Sequence, residues 1–221
     1  MGKERLAAFS DGVIAIIITI MVLELRVPQG GDLAALRPLL PVLLGYVLSF
    51  IYVGIYWNNH HHLLAATERV NGAVLWANMH LLFWLSLVPL STAWMGEHRS
   101  ASAPTATYGV LLLAASLAYW LLQRTILAAQ GPESRLAAVK GDIKGKLSPV
   151  FYTLAIVLAF VRPWLADGLY VLVALMWLIP DRRIERVLSD SPGEGDASAA
   201  PTGAAAVSPP EPGTAPRRTR S

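Results

Sequence analysis

The chain has 221 residues, 54% of them apolar and only 15% charged, with a mean hydropathy of +0.48 and a net charge of +3. A soluble domain of this size carries about a quarter charged residues, so the composition excludes a water-soluble globular protein and predicts an all-α integral membrane protein. There is no cysteine, which excludes disulfides, thiolate metal sites and cysteine nucleophiles.

The chain opens with RLAAFSD at residues 5–11, which runs straight into the apolar stretch GVIAIIITIMVLEL. Arg5, Ser10 and Asp11 therefore fall at the entrance to a membrane-spanning segment, where polar groups are costly and usually functional. The run is too long for a cleavable signal, Asp11 interrupts its flank, and no small-residue cleavage site follows. Hydropathy predicts six spans, at 9–27, 39–59, 72–94, 107–129, 149–162 and 166–180, where a full crossing takes about 20 residues. Spans five and six are short and are separated by Arg162, Pro163 and Trp164. They read either as two crossings or as one tight hairpin that stops short. Pro28, Pro38 and Pro41 bracket the first connection, and Pro149 suits the start of span five. Residues 1–188 then form one transmembrane domain. The Pro/Ala/Gly/Ser-rich segment 189–221, ending in RRTRS, is too poor in core-forming residues to fold and is expected to be a disordered tail.

Charge sets the expected orientation. With the N-terminus inside, only Arg26, Arg37, Arg99 and Arg162 lie outside, and the other fourteen Lys and Arg residues lie inside. That bias places both termini in the cytoplasm and requires an even number of crossings. Arg135, Lys140, Lys144 and Lys146 form a basic linker, which reads as a topology signal with some attraction for anionic lipid. Nothing supports a nucleic-acid role.

Helix one has two faces. Advancing about 100° per residue from Ile16, Gly12, Thr19, Ile20, Leu23 and Val27 all fall within about 60° of it. Asp11 and Ser10 lie on the far side, at about −140° and +120°. The polar corner thus looks into its own subunit while the stripe Ile16, Thr19, Ile20 and Leu23 looks elsewhere. From periodicity alone, elsewhere is lipid or another helix of the same subunit. Thr19 has a local option as well, since its hydroxyl can bond a backbone carbonyl one turn back.

Arg5-x-x-x-Phe9-Ser10-Asp11 at the head of the first membrane helix is similar to the signature of the potassium-channel family of transmembrane protein 175. The likeness continues through Tyr56-Trp57-Asn58-Asn59-His60-His61, then Leu75-Trp76-Ala77-Asn78, and then Pro89-Leu90-Ser91-Thr92-Ala93. It covers about the first hundred residues in the family's order. The resemblance implies a homotetramer of six-helix subunits, with helix one of each lining a central pore that has no TVGYG carbonyl filter. By position, Ile16 would be the apolar constriction and Thr19 the hydroxyl layer tied to potassium preference. Ile20 and Leu23 would be the next apolar rings. Arg5, Phe9, Ser10 and Asp11 would be structural, with Trp57, Asn59, His60, His61 and Asn78 as candidate partners at the same depth. Glu24 is a pore-mouth candidate that would concentrate cations. Its alternatives are an ion pair with Arg26 or the headgroup layer.

Three consecutive histidines, His60 to His62, cannot converge on one ion while the helix is intact, so no metal site is expected. His80 lies inside span three and reads as a helix–helix hydrogen bond, with a proton path as the second reading. A leak-type potassium channel of the cell membrane, with K⁺ as permeant ion and no cofactor, is the leading function. A proton-coupled secondary transporter is the alternative, although neither an inverted repeat nor paired broken helices are visible. A membrane enzyme comes third, because nothing resembles a nucleophile elbow, HExxH or a phosphate loop.

Overall fold

The computed structural model describes residues 2–98, 101–130 and 143–178. The tail 189–221, Arg99, Arg135 and Lys140 lie outside these described residues. Within them the chain is helical: α1 (Lys3–Leu23), a 3₁₀ turn (Leu33–Leu39), α2 (Leu40–Ala65), α3 (Gly72–Ser86), α4 (Val88–Glu97), α5 (Ser102–Gln130), α6 (Ile143–Val161) and α7 (Pro163–Leu178). Five segments are long and apolar enough to cross a membrane. They are α1, the 3₁₀ turn with α2, the α3–α4 pair, α5, and Lys144–Val161 of α6. The molecule is therefore an integral membrane protein.

Element ends differ from the hydropathy reading in ways that have local causes. α1 starts six residues earlier, at Lys3, because the polar residues of the motif continue the helix. It stops at Leu23, and the chain then turns before Pro28. The third span runs on to Glu97 but is broken at Leu87, where Pro89 lacks the N–H that would continue the ladder and α4 restarts. α7 has 16 residues, about 24 Å of helix, shorter than the roughly 30 Å hydrocarbon core. Only Arg162 separates it from α6, and the two pack as a hairpin. The Trp177 indole donates to Ser148 Oγ at 2.8 Å, so the last turn of α7 meets the second turn of α6. Lys144 and Lys146 belong to α6 itself.

Two cores hold the bundle. The first joins α1, α2, α3 and α5 through Leu6, Ile14, Ile17, Val53, Leu81 and Leu122 among others. The second joins α2, α4, α5, α6 and α7 around Tyr52, Tyr108, Tyr152 and Tyr170. Its hydroxyls form a directed chain. Thr92 Oγ1 donates to Val88 O at 2.7 Å, so Ser49 Oγ donates to Thr92 at 2.7 Å, and Tyr108 in turn donates to Ser49 at 3.0 Å. Tyr52 donates to Tyr170 O, and Tyr170 to Thr105 O. With no water in a bilayer core, hydroxyls at this depth need protein partners, and these have them.

Candidate functional site

The first three spans meet at the end where α1 begins. α1 buries Leu6, Ser10, Ile14, Ile17 and Met21. These residues recur at three- and four-residue spacing, so one face of the helix docks against α2 and α3. Ser10 is the polar member of that face and is fully buried. Its hydroxyl donates to Leu6 O at 2.9 Å and accepts from Asn78 Nδ2 of α3, also at 2.9 Å. Asn78 has used its amide on Ser10, so its carbonyl oxygen faces the buried His60 of α2 and accepts from His60 Nε2 at 2.6 Å. Three helices are thereby tied by one continuous polar chain, with the His60 proton on Nε2. Beside it, the half-buried Asp11 carboxylate accepts from Trp57 Nε1 of α2 at 3.0 Å.

The other predicted partners lie outside that chain. Asn59 turns its amide onto Ile55 O of its own helix, and its backbone carbonyl accepts from Tyr119 of α5. His61 is exposed with its ring 6.0 Å from that of Trp57. Among the described residues, no three His, Asp or Glu side chains are placed to hold a metal ion. Arg5 and Phe9 are both exposed, and the Arg5 guanidinium makes no hydrogen bond or ion pair among the described residues. The motif is therefore split: Ser10 and Asp11 fasten α1 to its own chain, while Arg5 and Phe9 face away from it.

Two further fastenings were not visible in the sequence. Lys3 Nζ donates to Ala65 O at 2.7 Å, a cation on the carbonyl end of α2, where the helix dipole is negative. Gln130 at the end of α5 clamps the α2–α3 turn, accepting from the Glu68 and Arg69 N–H groups and donating to Arg69 O. Each links residues more than sixty positions apart, and no local pattern signals that.

The opposite face of α1 is bare. Ile16 is 58% exposed and Leu23 79%, and Gly12, Thr19 and Ile20 lie exposed with them on the outward stripe. Thr19 Oγ1 donates to Ile16 O at 2.9 Å, the local bond described above. That bond uses the hydroxyl proton and leaves the oxygen lone pairs available as acceptors. Glu24 caps the C-terminal end of α1 and is exposed. Arg26 does not pair with it: its guanidinium bonds Glu97 Oε1 at 2.6 Å, which ties the exit of α1 to the end of α4. Arg26 reaches across to α4 because the chain turns away from the helix axis after Leu23. Among the described residues His80 makes no helix–helix bond either. Its Nε2 accepts from Trp84 Nε1, one turn along α3, at 2.9 Å. An i, i+4 partner on its own helix was available, and it took that one.

Residues 5–89 match the family described as endosomal/lysosomal potassium channel TMEM175. A potassium channel of Chryseobacterium sp. (strain P1-3) is 54% identical over 192 residues, covering 86% of this chain and 100% of that protein. A potassium channel of Streptomyces collinus is 34% identical over 185 residues, covering 78% of this chain and 90% of that one. The crystal structure of a lysosomal potassium-selective channel TMEM175 homolog from Chamaesiphon minutus superposes with a TM-score of 0.71 at 29% identity. That match covers 80% of this chain and 96% of the other.

Proposed function

The chain belongs to the TMEM175 potassium channel family, and from that membership we propose that it is a leak-type potassium-selective channel whose pore is lined by the outward stripe of α1. The observation that carries this reading is the division of α1 into a buried, polar-locked face and a bare one holding Ile16, Thr19, Ile20 and Leu23. A lone membrane helix has no reason to fix its rotation with three interhelical polar contacts. A helix that presents one face to ions does.

In a homotetramer in the cell membrane, with both termini cytoplasmic, four copies of Ile16 form an apolar constriction. Such a ring gates by dewetting, and an ion passing it sheds part of its hydration shell. Thr19 stands less than one turn further on. Its hydroxyl proton is bonded back to Ile16 O, so its oxygen offers lone pairs to the partly dehydrated cation. Ile20 and Leu23 continue the apolar lining, and Glu24 at the end of the helix raises the local cation concentration. Arg5 and Phe9 find no place inside the subunit and continue the same outward stripe towards the start of α1, where they stand at the cytoplasmic mouth of the pore. The protein performs no chemistry on the ion.

The test is reconstitution of the purified protein in liposomes under potassium, sodium and proton gradients. A potassium channel sets a reversal potential at the potassium equilibrium value, with no coupled ion. Proton movement in fixed ratio to potassium would replace this reading with a proton-coupled transporter.

A further inference from the structure

α1 and the broken third span do not close completely on each other. A groove of about 360 Å³ lies between them, walled by Ile16, Ile17 and Ile20 on one side and by Pro89 and Leu90 on the other, with Glu24 at one end. It flanks the interruption at Leu87, where Pro89 ends the straight run of α3. Its volume falls in the range of small-ligand sites, roughly 300–1,000 Å³.

The charge at its end is uncompensated. Glu24 adds a carboxylate to the negative end of the α1 dipole, and the last turn of α1 holds no basic residue. Arg26, two residues on, is committed to Glu97. Among the described residues the Glu24 carboxylate has no hydrogen bond or ion pair, and only the backbone N–H of the residue is engaged, on Val22 O. A potassium ion would use the carboxylate but gain nothing from the walls beside it, which are apolar apart from Ser86, whose hydroxyl donates to Phe83 O. A neutral lipid chain would use the walls and leave the carboxylate unanswered. We propose that the groove between α1 and α4 binds a monovalent organic cation with a short apolar tail, its ammonium on Glu24 and its tail against Ile20, Ile16 and Leu90. Ile16 and Ile20 are also the proposed pore lining, so an occupied groove holds the stripe in place and slows potassium flux. That consequence rests on the channel reading; the binding does not.

The test is calorimetric titration of the purified full chain, in lipid nanodiscs, with alkyltrimethylammonium ions of one, four and eight tail carbons. The expected result is affinity that rises about fourfold per added methylene until the groove is full. Glu24→Gln and the groove-filling Leu90→Trp are each expected to weaken octyltrimethylammonium at least tenfold. Octylsulfonate should not compete. Equal binding of octylsulfonate would reduce the effect to partition into lipid, and unchanged affinity in Leu90→Trp would leave the cation on the carboxylate alone. An absence of binding, with loss of the oligomer in Leu90→Trp, would give the groove to a second copy of the chain. Any of these three overturns the proposal. Potassium flux measured in parallel without the cation tests the channel reading separately: absent flux with tail-dependent binding would sink the channel and leave the groove standing.

Discussion

Replacing Ser10 with alanine removes the acceptor of the Asn78 amide at the centre of the lock. Both side chains are 0% exposed, so no water can take over. The Leu6 carbonyl loses only an extra donor, because it still accepts the helical N–H one turn on. The cost is therefore the orphaned amide donor, about 1–3 kcal/mol for a buried group in a soluble protein. In bilayers, interhelical hydrogen bonds average about 0.6 and reach about 1.7 kcal/mol, because the unfolded helices also find partners. Complete burial on both sides places Ser10→Ala near the top of that range, at about 1.5 kcal/mol. Asn78→Leu keeps the volume but orphans His60 Nε2–H, and costs about 2 kcal/mol. The Ser10–Asn78 bond is lost in either variant, so the double variant should be about 1 kcal/mol less destabilised than the two single losses added together. Reversible unfolding by a denaturing detergent measures all four corners of this cycle. Additivity within about 0.3 kcal/mol would refute the lock as a coupled unit.

Ile16→Asn places an amide at the proposed constriction and should raise potassium flux in liposomes; unchanged flux would put Ile16 outside the pore. Asp11→Ala should lower the yield of assembled protein more than it alters selectivity, since the carboxylate holds Trp57. An intact Asp11→Ala oligomer that differed only in lost potassium preference would contradict this. Arg26→Gln should cost under about 1 kcal/mol, because the Arg26–Glu97 pair is largely exposed. The exchange Arg26→Glu with Glu97→Arg should restore it in the same unfolding assay. Gly109→Ala should cost about 1–3 kcal/mol, since a Cβ there meets the Tyr170 hydroxyl and Ile156; no change in the unfolding midpoint would show that the Tyr170 ring gives way freely.

The membrane class and the first four spans were legible because hydropathy sums over twenty residues and tolerates single exceptions. The break at Leu87 is not legible in the sequence despite Pro89, because proline within a span signals equally a kink, a restart or a helix end. Helical phase also separated Ser10 and Asp11 from Ile16, and the burial of Ser10 against the exposure of Ile16 follows the same arithmetic. The same arithmetic applies to the rest of the motif. Arg5 and Phe9 lie at about −20° and +20° from Ile16, on the bare stripe. Four residues close in sequence do not form one cluster, because a helix distributes neighbours around its axis. The choice of Trp57 for Asp11, and of Asn78 for Ser10 and His60, needed interhelical register. No single-helix pattern contains that.

The energetic scale of the lock bears on what it does for the pore. A few kilocalories per mole across Ser10, Asn78, His60, Asp11 and Trp57 is small beside the apolar surface that α1 buries. Yet apolar packing discriminates weakly between helix rotations here, since nearly every residue from Val13 to Leu23 is hydrophobic and either face could dock. Slipping α1 by one residue would turn it by about 100°. That slip would move Ile16 off the stripe and bury Val13 or Ala15 in place of Ile14. It would also put Phe9 or Asp11 in the place of Ser10, which leaves the buried Asn78 amide either without an acceptor or against a buried carboxylate that has lost Trp57. The polar chain thus contributes less to keeping the helix in the bundle than to choosing which face it shows. On the channel reading, that choice decides whether isoleucine and threonine meet the ion at all.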